Sequence, residues 1–131
     1  MKPNRVVIGV GSNIRAEENI GLAKAEIESA HELVKASSFL KTEPVGFNDQ
    51  DKFTNGALLI HTEMDLGELK SWLNNLESKL GRVKTDNKNG PRTIDLDILV
   101  WNGEVVDNDV TERDFVKKSV KELLPDLKIG I

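Results

Sequence analysis

Apolar and polar residues alternate through Thr93, Ile94, Asp95, Leu96, Asp97 and Ile98, and this period of two predicts a half-buried strand from Asp95 to Trp101. The same reading makes Arg5–Val10 a buried first strand that ends at Gly11-Ser12-Asn13. Ile20, Ala23, Ile27, Ala30 and Val34 recur at spacings of three and four, which predicts a helix from about Glu17 to Leu33. Lys35–Leu40 reads as a strand, and Thr42-Glu43-Pro44-Val45-Gly46 as a loop. Phe53–Thr62 is a strand whose Ala57-Leu58-Leu59-Ile60 is apolar on both faces, as in an inner strand covered twice. A second helix, Asp65–Leu80, has Asp65 as N-cap, Glu68 three residues on and Gly81 just past its end. Leu66, Leu69, Leu73, Leu76 and Leu80 form its buried stripe, while Lys70, Asn74 and Glu77 form a polar one. Arg82–Gly90 lacks periodicity and reads as a mobile loop that could close over a ligand. Asn102-Gly103 predicts a tight hairpin turn into a short return strand, Glu104–Val106. Asp114–Leu124 is a terminal amphipathic helix.

Strand, helix, strand, strand, helix and strand follow one another without a repeat or linker. One antiparallel sheet with both helices on one face accommodates them economically. The expected fold is therefore α+β, a ferredoxin-like antiparallel sheet with packed helices, plus a C-terminal hairpin and helix. With 131 residues, a single domain over 1–131 is expected. Hydrophobic residues at 38% against 31% charged describe an ordinary globular chain, not a disordered one. Cysteine is absent, which removes disulfides and thiolate metal sites. No apolar run is long enough to span a bilayer, and Met-Lys-Pro-Asn-Arg has no signal-peptide core, so a cytoplasmic location is the default. An isoelectric point of about 5.2 argues against general nucleic-acid binding. Oligomeric state is not legible here, with a monomer as the default.

The candidate chemistry gathers around Asp95 and Asp97. Side chains two apart on a strand share a face, so these carboxylates point the same way with Cα atoms roughly 7 Å apart. Such a pair repels itself unless a cation intervenes, and magnesium suits one or two carboxylates plus substrate phosphates. A merely solvated acidic strand face is the plain alternative. Arg92, entered through Gly90-Pro91, could bind phosphate oxygens bidentately. Lys79, Arg82, Lys84 and Lys88 add positive charge locally in a chain of net charge −4, which suggests an anionic ligand. Phe53 and Asn55 share a strand face, a ring beside an amide, which suits a planar heterocycle. Gly9-Val10-Gly11 invites a phosphate-loop reading, but Ile14 replaces the last glycine of a dinucleotide motif and no Gly-Lys-Ser/Thr follows. A strand-to-helix turn is the expected role. His31 has no partner at metal-ligand spacing and reads as a surface or partly packed residue.

The run Gly90-Pro-Arg-Thr-Ile-Asp-Leu-Asp-Ile-Leu99 resembles the signature of the 6-hydroxymethyl-7,8-dihydropterin pyrophosphokinase family of folate synthesis. Gly9-Val10-Gly11-Ser12-Asn13, Ser37-Ser38-Phe39 through Gly46, and Phe53-Thr54-Asn55 fit it in order and spacing. The resemblance implies transfer of pyrophosphate from ATP to the pterin hydroxymethyl group with release of AMP. It implies that Asp95 and Asp97 hold two magnesium ions and that Arg82 and Arg92 are the catalytic cations. Thr42, Pro44, Val45, Phe53 and Asn55 would form one side of the pterin site, Phe53 replacing a frequent tyrosine. Lys70, Asn74, Glu77, Lys84, Arg92 and Ile98 would border the nucleotide. The partners implied are these small molecules, with no nucleic acid and no membrane.

Beyond Val106 the resemblance weakens. Family members usually carry a longer connection there, with a Pro-His-Tyr-like segment on ATP and then an Arg-x-Phe whose ring stacks on the pterin. Here Asp107-Asn108-Asp109-Val110-Thr111-Glu112 is several residues shorter, without histidine or tyrosine, and Arg113-Asp114-Phe115 matches the Arg-x-Phe. Phe115 is thus a further pterin candidate. Two functions follow: a working pyrophosphokinase with altered nucleotide affinity, and a non-catalytic pterin- or nucleotide-binding relative.

Overall fold

The computed structural model describes residues 2–42, 52–81 and 93–128. Six strands form one antiparallel sheet: β1 (Asn4–Ser12), β2 (Glu32–Ala36), β3 (Leu40–Thr42), β4 (Phe53–Thr62), β5 (Asp95–Trp101) and β6 (Glu104–Val105). The spatial order is β2-β4-β1-β5-β6, with β3 also paired to β4. Helices α1 (Ala16–Ala30) and α2 (Leu66–Lys79) lie between strands in the chain, and α3 (Asp109–Glu112) and α4 (Asp114–Leu123) follow β6.

Strand alternation divides the core in two. Val6, Ile8, Val10, Leu58, Ile60, Ile94 and Leu96 pack against Ala23 and Ile27 of α1 and Leu69, Leu73 and Leu76 of α2. Val7, Ala57, Leu59, Leu99 and Val100 pack on the other face against Val110, Val120 and Leu123. The sheet is therefore covered on both sides, α1 and α2 on one and the terminal helices on the other. This accounts for the doubly apolar centre of β4. Each fully buried Leu or Ile contributes about 1.5–3 kcal/mol relative to exposure.

The structure matches the expected bounds of β4 and β5. Asp65 caps α2 in a reciprocal capping box with Glu68, at 2.8 and 3.0 Å, and Gly81 follows the helix at φ 96°. Asn102 and Gly103, at φ 49° and 83°, turn β5 into β6 as a primed turn requires.

Other expectations are corrected. Gly9 and Gly11 lie inside β1, paired to both β4 and β5, rather than in a turn. Helix α1 stops at Ala30, because His31 is extended at φ −137° and the next residues join β2. The expected strand Lys35–Leu40 divides into the end of β2 and the start of β3. Leu66 is exposed, so the buried stripe of α2 begins at Leu69. His31 is buried rather than superficial: its Nδ1 is 2.9 Å from Thr62 Oγ1, and its ring meets Trp72 edge-on at 4.5 Å. The expected loops through Glu43–Gly46 and Arg82–Gly90 lie outside the described residues, as do Pro44, Val45, Arg82, Lys84 and Arg92.

Candidate active site

Strand register brings the distant motifs together. Asn55 of β4 is opposite Gly11 of β1, and Gly11 is opposite Asp95 of β5. In the next row Ala57, Gly9 and Asp97 align, and Thr42 of β3 is opposite Phe53. Cross-strand partners project from the same face, as do residues two apart. Thr42, Phe53, Asn55, Asp95 and Asp97 therefore share one face of the sheet, the face that carries α4. Between the amide and the carboxylates the floor is glycine.

The place of those glycines in the sheet is a feature that local sequence reading missed. A Cβ at Gly11 would lie 2.6 Å from Asn55 Oδ1, and one at Gly9 would lie 3.0 Å from Leu99 Cδ1. Position 11 thus keeps room for the amide of Asn55. Asn55 in turn donates through Nδ2 to Thr42 Oγ1 at 2.5 Å. That bond orients the amide and ties together two residues drawn from separate sequence motifs. Ser12, buried at the end of β1, donates to the Thr93 carbonyl at 2.6 Å and so ties the entry of β5 to β1.

Among the described residues, Asp97 is the most perturbed acid. Its carboxyl is pushed up from 3.8 to about 7, first by desolvation and then by Asp95, Asp107, Glu77 and Asp109. The residue is exposed at the sheet surface, and four other acids converge on it. Asp107 and Asp109 come from the short connection after β6. Asp107 Oδ1 accepts the Asp109 N–H at 2.8 Å, and Asp109 pairs with Arg113 at 3.4 Å. Their approach to Asp97 was not anticipated; the Asp-x-Asp at 107–109 is its only sequence signal.

This donor set fits a hard divalent cation. Among the described residues no three potential ligands converge on a point, so two carboxylates would leave the remaining positions to water and phosphate oxygens. Magnesium is commonly held that way.

The remaining candidates fall in several places. Lys70 and Asn74 are exposed on α2, but Glu77 is buried and accepts the Leu96 N–H through Oε2 at 2.8 Å. The polar stripe therefore divides, its last member turning into the protein. Ile98 packs into the core under α1 and α2, on the face opposite the carboxylates. Phe115 is half-buried in the first turn of α4, which rests on β4 and β1.

Residues 7–125 match the model of the 7,8-dihydro-6-hydroxymethylpterin-pyrophosphokinase (HPPK) family. The chain belongs to this family. Proteins named 2-amino-4-hydroxy-6-hydroxymethyldihydropteridine pyrophosphokinase are similar to it in sequence. The one from Methylorubrum extorquens is 35% identical, with 96% of this chain and 86% of the relative aligned. The Haemophilus influenzae protein is 34% identical over 92% of this chain and 81% of its own length. The Bacillus subtilis protein is 37% identical over 81% of this chain, which spans 65% of that relative. In this pyrophosphokinase family member, the sheet face that joins Asn55 to Asp95 and Asp97 is the candidate active site.

Proposed function

We propose that this chain, working as one domain, transfers pyrophosphate from ATP to 6-hydroxymethyl-7,8-dihydropterin and releases AMP, a step of folate biosynthesis. The observation that carries the reading is the shared sheet face: a ring and an oriented amide on β4, and paired carboxylates on β5, with glycine between them. Family membership supplies the reaction. The sheet order, with α1 and α2 on one face, supports reading the core as ferredoxin-like with an added hairpin and terminal helices.

On this reading Phe53 and Phe115 hold the pterin ring, and Asn55, Thr42 and the Pro44-Val45 backbone bind its polar edge. Asp95 and Asp97 would hold magnesium, two ions with ATP present, which when bound neutralises the polyphosphate and draws the hydroxymethyl oxygen close. Arg82 and Arg92 stabilise charge that builds between the β-phosphorus and the leaving AMP. Lys70, Asn74 and Lys84 border the nucleotide, whereas the Ile98 side chain is turned into the core. The oxygen of the hydroxymethyl group attacks the β-phosphorus, its proton passes to solvent or phosphate, and the bond to the α-phosphate oxygen breaks.

The protein has no helix among its described residues that is long and apolar enough to cross a membrane. The test is a coupled assay for AMP with hydroxymethyldihydropterin and Mg-ATP. Turnover that requires all three components and vanishes in Asp97→Asn is expected. Pterin binding without AMP release would favour the non-catalytic alternative.

A further inference from the structure

Strand β5 has unequal borders. It pairs with β1 from Asp95 to Trp101, but β6 is so short that it covers only Val100 and Trp101 on the other side. Among the described residues, the first half of β5, which carries both candidate cation ligands, is therefore an edge. Outward N–H groups on an edge need partners or water, and an unpaired stretch of backbone is easily displaced.

Helix α2 supplies one such partner. Glu77 lies one turn after Leu73 and is only 5% exposed. Its Oε2 accepts the Leu96 N–H at 2.8 Å in a buried setting. Leu96 stands between Asp95 and Asp97, and this N–H belongs to the peptide unit that leaves Asp95. Fixing that unit fixes the orientation of the first carboxylate relative to the second. A buried carboxylate is costly, and a leucine would serve better there if packing alone were needed.

We propose that Glu77 is a positioning residue, clamping the edge of β5 through Leu96 so that Asp95 and Asp97 are held at the spacing a divalent cation needs. The proposal rests on the reading of those two residues as cation ligands. Charge-assisted bonds of this kind are the stronger class, and partners behind metal ligands commonly govern affinity tenfold to a hundredfold.

Glu77→Met fills the same space without an acceptor, and Glu77→Gln keeps an acceptor oxygen without the charge. The measurements are amide exchange at Leu96, normalised to Val7 and Leu59, and Mn²⁺ affinity by spin resonance with a non-hydrolysable ATP analogue. Glu77→Met should speed Leu96 exchange at least about tenfold relative to the core amides and weaken Mn²⁺ binding roughly tenfold to a hundredfold. Its KM for the pterin should stay unchanged while kcat falls. Glu77→Gln should restore both readouts to within about threefold of wild type. Unchanged exchange and Mn²⁺ affinity in Glu77→Met, beside normal wild-type binding, would overturn this proposal alone. So would a Glu77→Gln protein as impaired as Glu77→Met. A wild-type protein that binds no Mn²⁺ with the analogue would overturn the metal-site reading and this proposal with it.

Discussion

Replacing Asp97 by asparagine should stabilise the metal-free protein above neutral pH while abolishing turnover. The carboxyl of Asp97 is raised from 3.8 to about 7 by desolvation and by Asp95, Asp107, Glu77 and Asp109. Between these values the folded state holds a proton that the unfolded state has released. The stabilisation linked to that proton is complete below about 3.8 and is lost as pH rises through about 7. Taken at face value the interval corresponds to roughly 4 kcal/mol. Asp97 is exposed, so solvent screening reduces this to about 1–2 kcal/mol. For a domain of this size that raises Tm by about 3–8 °C. Thermal melts in EDTA would compare wild type with Asp97→Asn at pH 8 and at pH 5, where the gain should be smaller. Mg²⁺ with an ATP analogue should then raise the wild-type Tm and leave the variant unmoved. Equal melting at pH 8, or a less stable variant, would refute the convergence of carboxylates on Asp97.

Other outcomes follow from the same geometry. Asn55→Ala removes the amide that Thr42 orients and should weaken pterin binding about tenfold to a hundredfold by calorimetry, with Mg-ATP analogue binding intact. Gly11→Ala places a methyl 2.6 Å from Asn55 Oδ1; it should raise the pterin KM while circular dichroism shows the fold retained. The resemblance implies that the Asp107–Glu112 connection, which carries the acids Asp107 and Asp109, lacks nucleotide contacts that family members carry. The KM for Mg-ATP should therefore exceed that of the Bacillus subtilis relative by roughly tenfold to a few hundredfold, and equal values would show that another segment replaces the clamp.

What could be read from the sequence was what local chemistry specifies. The bounds of β4, the capping box of α2 and the Asn102-Gly103 turn each follow from a few adjacent residues. The face shared by Asp95 and Asp97 follows from period-two alternation. Features set by long-range pairing were hidden. Gly9 and Gly11 looked like turn residues because nothing nearby in sequence reveals that β4 and β5 flank them. The early end of α1 arises because Leu33 is drawn into pairing with Ile60, although its spacing fits a helix. Glu77 matched an exposed stripe with Lys70 and Asn74, and its bond to the Leu96 N–H, distant in sequence, shows that it turns inward. The acids at 107 and 109 gain meaning from the reversal at β6, which returns them towards Asp97.

The most direct test of the central claim is the identity of the products. ³¹P NMR should follow wild-type protein with Mg-ATP and hydroxymethyldihydropterin. AMP and a pterin pyrophosphate should appear in equal amounts, with the β- and γ-phosphorus atoms remaining joined. ADP with a pterin monophosphate, or unchanged ATP under conditions where the pterin is bound, would contradict the account.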